Sequence, residues 1–154
     1  MPQFDWEKSF KRYILDDEKT PYFTSVARLT RRQARYELFA YCLLTGALYS
    51  LVGVAALSGR LAQGNSVGVA LYAFTLVWAA ILLAAVRLPQ AAAYCATGPV
   101  AALLYLLLFG FHPNLGIGDQ VLIVILLLAW LRYNFRVLAI ARGFPDMPER
   151  AGPP

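Results

Sequence analysis

Residues 28–35 read Arg28-Leu29-Thr30-Arg31-Arg32-Gln33-Ala34-Arg35, and an apolar run opens directly afterwards at Leu38. A basic collar set against a hydrophobic segment orients a chain in a bilayer, because cytoplasmic flanks carry the excess of lysine and arginine. From Leu38 to Leu131 the only formally charged residues are Arg60, Arg87 and Asp119. A soluble core of that length would show amphipathic alternation, and none is visible. Hydrophobic content of 59%, charged content of 15% and a mean hydropathy of +0.53 agree with a membrane composition, since soluble domains hold roughly a quarter charged residues. The chain is therefore read as an all-α integral membrane protein, a bundle of four transmembrane helices with an N-terminal amphipathic arm.

Four spans follow from the apolar runs, at about 38–57, 67–86, 91–111 and 119–141. A helix of about 20 residues rises 1.5 Å per residue, which matches a hydrocarbon core of about 30 Å. Ser58-Gly59-Arg60 through Asn65 supplies the first connection, and Arg87-Leu88-Pro89-Gln90 leaves room only for a tight hairpin, with proline placed to open the third helix. Gly98-Pro99 falls inside that helix, where proline deletes a backbone hydrogen bond, so a kink is expected there. The run Val121 to Leu131 is too short to cross alone. It becomes a span only when extended to Ala141, which brings in Arg132 and Arg136 one turn apart, with Trp130 and Tyr133 forming an aromatic belt beside them.

Around the spans lie two polar segments. Residues 1–23 form an arm in which Trp6, Phe10 and Tyr13 fall on one helical face opposite charged residues, suited to a membrane interface or a partner surface. A second helix is expected from Thr24 or Ser25, running unbroken through the collar into span one. Residues 142–154 form a proline-rich tail that reads as extended or disordered. No apolar segment of the kind found in a cleaved signal peptide precedes the collar, so the arm is expected to stay on the mature protein.

Lysine and arginine number eight before span one, one in each of the first two loops, none in the third and four from Arg132 onward. The positive-inside rule then puts both termini and the Arg87 hairpin on the cytoplasmic side. Enrichment in Ala, Leu, Gly and Arg indicates a bacterial inner membrane. The net charge of +5 belongs to this sidedness rather than to nucleic acid. Small-xxx-small pairs favour close approach of the first three helices. The Leu/Ile-rich fourth helix offers none in its apolar half and is expected to face lipid or a partner.

Catalytic chemistry is not indicated. His112 is the single histidine, which excludes two axial haem ligands in one copy. Cys42 and Cys95 fall at similar depth but have no histidine or carboxylate beside them to complete a zinc site. No cofactor is expected. Tyr49, Ser50, Tyr72, Thr75, Thr97 and Tyr105 lie deep, and either line a small pocket or satisfy one another. The leading expectation is a non-catalytic accessory or structural subunit of a larger inner-membrane complex. It would contact partner subunits or anionic phospholipid through Trp6, Phe10, Tyr13, Arg31, Arg32, Arg35, Arg132 and Arg136. The alternative is a small homo-oligomeric transporter or channel, with Gly98 and Pro99 as its moving part.

Overall fold

The computed structural model describes Tyr22, residues 24–61 and residues 64–149. Among these the regular elements are all helical: α1 (Arg31–Leu57), α2 (Val67–Val86), α3 (Pro89–Phe109) and α4 (Ile117–Gly143), with single 3-10 turns at Val26–Arg28 and Phe144–Asp146. All four α-helices are long and apolar enough to cross a membrane. The arm residues Trp6, Phe10 and Tyr13 lie outside the described residues.

The expected continuous helix from Thr24 through the collar is not formed. Leu29 and Thr30 are extended, and α1 starts afresh at Arg31. Thr30-Arg31-Arg32-Gln33 is the reason. Gln33 N–H donates to Thr30 Oγ1 at 3.3 Å, and Thr30 N–H donates to Gln33 Oε1 at 3.0 Å. This reciprocal box satisfies two amides that a helix start leaves unpaired. The collar is thereby divided: Arg31, Arg32 and Arg35 ride on the first turns of α1, and Arg28 stays outside it. At 27 residues α1 is about 40 Å long, so these first turns extend beyond a 30 Å hydrocarbon core.

Arg87 closes α2 in the left-handed conformation, φ 58°. Leu88 is extended, as a residue before proline must be, and Pro89 opens α3 at its first position. The helix runs on through Pro99 to Phe109, two residues short of the expected end, because Gly110 takes φ 79° and terminates it. The start of α4 precedes Asp119 by two residues, and the Asp119 carboxylate accepts the Gly116 N–H at 3.2 Å.

Against expectation, residues 142–149 do not form a free extended tail. After the turn at Phe144–Asp146, Met147 is buried and the chain returns to the collar. The Arg31 N–H donates to the Pro148 carbonyl at 2.8 Å, and Arg31 Nη2 donates to the Pro145 carbonyl at 2.9 Å. The Phe144 ring also receives the Arg87 guanidinium, 4.7 Å from its centroid. An amide at a helix start seeks an acceptor, and the prolines hold their carbonyls in place for it.

The fourth helix is likewise no bystander. Its first half, with Ile117, Val121, Leu122, Ile125, Leu126 and Leu128, is exposed. In its second half Asn134, Val137, Ile140 and Ala141 are fully buried among Leu38, Leu83, Ala92 and Cys95. The small residue that admits this close packing is Ala141, which lies beyond the apolar run in which small residues were sought.

Candidate functional site

Along α1 the buried residues include Glu37, Tyr41, Thr45 and Tyr49, each four positions after the last. Four residues turn a helix through about 400°, so successive members stand above one another with a drift of about 40° and a rise of about 6 Å. The stripe thus climbs about 18 Å from the collar into the middle of the bundle, winding as it goes. Polar side chains buried along one face of an apolar helix need partners, and α4 supplies most of them.

At the foot, Glu37 has no exposed side-chain surface. Arg136 grips it with two bonds, Nε to Oε1 at 2.6 Å and Nη2 to Oε2 at 3.0 Å. The Tyr133 hydroxyl donates to Oε1 at 3.1 Å, and Arg136 Nη1 donates to the Thr24 carbonyl at 2.7 Å. This bidentate, charge-assisted contact is the strong form of an ion pair. It clasps α1, α4 and the segment before α1 into one unit. Glu37 is thus paired with Arg136, while Arg132, one turn earlier on α4, is exposed. One turn higher the Tyr41 hydroxyl donates to Asn134 Oδ1, and Asn134 Nδ2 donates to the Trp130 carbonyl at 2.8 Å. Cys42 and Cys95 are free and buried in the core cluster that also contains Tyr41.

Higher still the partners stop. Thr45 Oγ1, Tyr49 Oη and Trp130 Nε1 are buried without a hydrogen-bond partner, as is Tyr105 Oη. The Tyr49 and Trp130 rings stack, with centroids 5.7 Å apart at 29°. Tyr49 also presses on α3 at Gly98, where an added Cβ would fall 2.0 Å from its hydroxyl oxygen. Gly98 is thus required for this contact, whatever Pro99 does to the helix axis. Its neighbours fare differently: the Tyr72 hydroxyl pairs with Thr97 Oγ1 at 2.6 Å and Thr75 Oγ1 with the Tyr94 hydroxyl at 2.8 Å.

Beside the upper stripe, α1, α2, α3 and α4 all contribute to the wall of a cavity of about 570 Å³. Tyr49, Tyr72, Gly98, Tyr105, Leu127 and Trp130 belong to that wall. No protein-family model, curated protein or solved structure matches the chain. Its chemistry is therefore read from its own residues. The cavity is a half-open groove, and several residues of its wall, among them Leu104, Leu108 and Phe109, are exposed.

The other residues singled out by the sequence separate cleanly. Arg31 is committed to the tail, including an exposed ion pair with Glu149 at 3.4 Å. The Arg32 guanidinium lies 5.9 Å from the centroid of the Tyr36 ring, and Arg35 is exposed. His112 is exposed in the last loop, where its Nδ1 accepts the Asn114 N–H at 3.3 Å. Among the described residues no cluster of three or more His, Cys, Asp or Glu side chains could hold a metal ion. Asn134 and the burial of Glu37 escaped the sequence reading. Their signal was the four-residue spacing of polar residues on α1.

Proposed function

We propose that the chain is a non-catalytic accessory or structural subunit of a larger complex in a bacterial inner membrane, with its basic end cytoplasmic. Charge distribution supports this orientation. Among the described residues, Arg28, Arg31, Arg32, Arg35, Arg87, Arg132, Arg136 and Arg142 lie toward one end, with Glu37, Asp146 and Glu149. The far end holds Arg60 and Asp119. Such an imbalance seeks an anionic surface, either the headgroups of anionic phospholipid or an acidic segment of another subunit.

The observation that carries the reading is how this end is built. The Arg136–Glu37 clasp and the docked tail hold the helix ends in place, while Arg28, Arg35, Arg132 and Arg142 remain exposed. A charged surface held in a fixed geometry loses little entropy when a partner arrives. The exposed first half of α4 adds an apolar face that lipid or a transmembrane partner covers, and the arm with Trp6, Phe10 and Tyr13 adds an interfacial anchor.

Purification of the tagged chain from its own membranes in mild detergent, followed by native mass measurement, tests the proposal. A stoichiometric larger partner is expected, released when Arg35 and Arg132 are both replaced by glutamine. A free monomer under every mild condition refutes it. A pure assembly of this chain refutes it too, and transfers the weight to a homo-oligomeric transporter.

A further inference from the structure

We propose that the exposed face of α4 docks a transmembrane helix of another subunit, through a carboxylate on that helix that pairs with Arg132. Val121, Ile125, Leu128, Arg132, Phe135 and Ala139 are all exposed, and their alternating spacing of four and three residues places them on one face of the helix. That face is about 27 Å long, close to the depth of a hydrocarbon core. Arg132 is the single polar residue among the six. Resting on the accessory-subunit reading, the proposal gives that subunit a docking face and gives its partner a chemistry.

Depth sets Arg132 apart from the other exposed arginines near the collar. Arg136 meets Glu37 at the foot of the first span, and Arg132, four residues earlier on α4, stands about 6 Å further into the bilayer. A helical Cα–Cβ bond tilts toward the helix N-terminus, which for α4 is the end opposite the collar. The Arg132 side chain therefore leaves the backbone toward the bilayer interior and must double back to reach cytoplasmic headgroups. A guanidinium at that depth is costly unless it is paired. Among the described residues it has no ion-pair partner: Glu37 is held by Arg136 and Glu149 by Arg31. A lipid phosphate belongs to the headgroup level. A transmembrane partner instead brings a carboxylate to the level of Arg132 and covers the apolar residues on either side of it. Arginine and carboxylate then form a two-pronged, charge-assisted contact. A second copy of this chain fits poorly, because symmetric pairing of the same face sets guanidinium against guanidinium.

The full chain with p-benzoylphenylalanine in place of Leu128, one turn from Arg132 on the same face, is photo-cross-linked in its own membranes. An adduct with a different membrane polypeptide is expected, in clear excess over any formed from Leu44 on the exposed face of α1. Equal yield at both positions overturns the proposal, as do adducts only with lipid, with this chain's own N-terminal arm or with a second copy. The cross-linked polypeptide must carry an aspartate or glutamate inside a transmembrane segment, and one without it overturns the proposal too. In mild-detergent purification Arg132→Glu lowers recovery of that polypeptide at least about tenfold, and replacing its in-span carboxylate with arginine restores it. Recovery undiminished by Arg132→Glu overturns the inference and leaves the accessory-subunit reading in place. Absence of any partner for the native chain overturns both. Should Arg132→Glu fail to accumulate, Arg132→Gln and the Leu128 cross-link decide.

Discussion

Replacing Arg136 by methionine leaves the Glu37 carboxylate buried with one remaining donor, the Tyr133 hydroxyl. Both guanidinium bonds, at 2.6 and 3.0 Å, are lost, and the Thr24 carbonyl loses its donor as well. Breaking a buried pair by removing one partner costs about 3–5 kcal/mol. Which end of that range applies depends on the charge left behind. The Glu37 side chain is 0% exposed and that of Arg136 is 20% exposed. Arg136→Met therefore belongs near ~5 kcal/mol, because nothing else reaches the stranded carboxylate. Glu37→Met belongs near ~3 kcal/mol, because a long guanidinium side chain already partly exposed can move out to the interface.

The double replacement removes both charges and puts two apolar side chains of similar length between α1 and α4. It is expected within about 1 kcal/mol of the native protein, since an apolar pair often matches a buried ion pair. The three variants and the parent form a double-mutant cycle. Reversible denaturation in mixed micelles of increasing SDS content, followed by helicity, reads each free energy. Arg136→Met costing more than Glu37→Met, with the double variant nearly restored, supports the clasp as described. Single replacements costing under 1 kcal/mol, or a double variant as poor as the sum of the singles, would refute it.

Gly98→Ala puts a methyl group 2.0 Å from the Tyr49 hydroxyl, and overpacking of that kind costs about 1–3 kcal/mol in the same denaturation assay; an unchanged midpoint argues against the α1–α3 contact. Thr30→Ala removes one half of the box at the start of α1 and is expected to cost about 1 kcal/mol, with the loss confined by hydrogen exchange to the first turn. Truncation after Asp146 takes away the Pro148 carbonyl that holds the Arg31 amide at 2.8 Å. Exchange at that amide should then rise at least tenfold, and unchanged protection would mean that the tail is not docked. In a background with Cys42 and Cys95 replaced by alanine, single cysteines at Ser58 and His112 should react with an impermeant maleimide from one side of the membrane and a cysteine at Arg142 from the other. Labelling of positions 58 and 112 from opposite sides contradicts four spans.

The order of elements was legible because lipid imposes a coarse rule: a run of apolar residues long enough to cross, ended by charge or turn residues. Arg87 closes α2 where the second span was expected to end, and Pro89 opens α3 two residues before the expected start of the third. The start of α1 is set by the capping side chains of Thr30 and Gln33, a signal that the arginines between and around them mask. The docking of the tail is masked in a similar way. Proline-rich composition describes what a segment cannot hydrogen-bond by itself, and carries no information about an acceptor-seeking amide at Arg31, more than a hundred residues away in the chain.

What was hardest to read was the interior. In water the buried face of a helix announces itself as the apolar stripe, and polar residues mark the outside. A helix in lipid is apolar all round, so that contrast vanishes, and the exposed face of α1 is as greasy as any core, with Phe39, Leu43, Leu44, Leu51 and Val54. The informative periodicity is then the inverse one. Glu37, Tyr41, Thr45 and Tyr49 recur every fourth residue because polar groups avoid lipid and gather where another helix can answer them. Taken as a stripe, they identify the face of α1 that meets α4 at Arg136, Asn134 and Trp130. The same pattern then accounts for the difference between the two ends of that face. Where α4 answers with a guanidinium and an amide, the stripe is a clasp. Where α4 answers only with an indole, Tyr49 and Trp130 stack, and the stripe ends in ring packing rather than in hydrogen bonds.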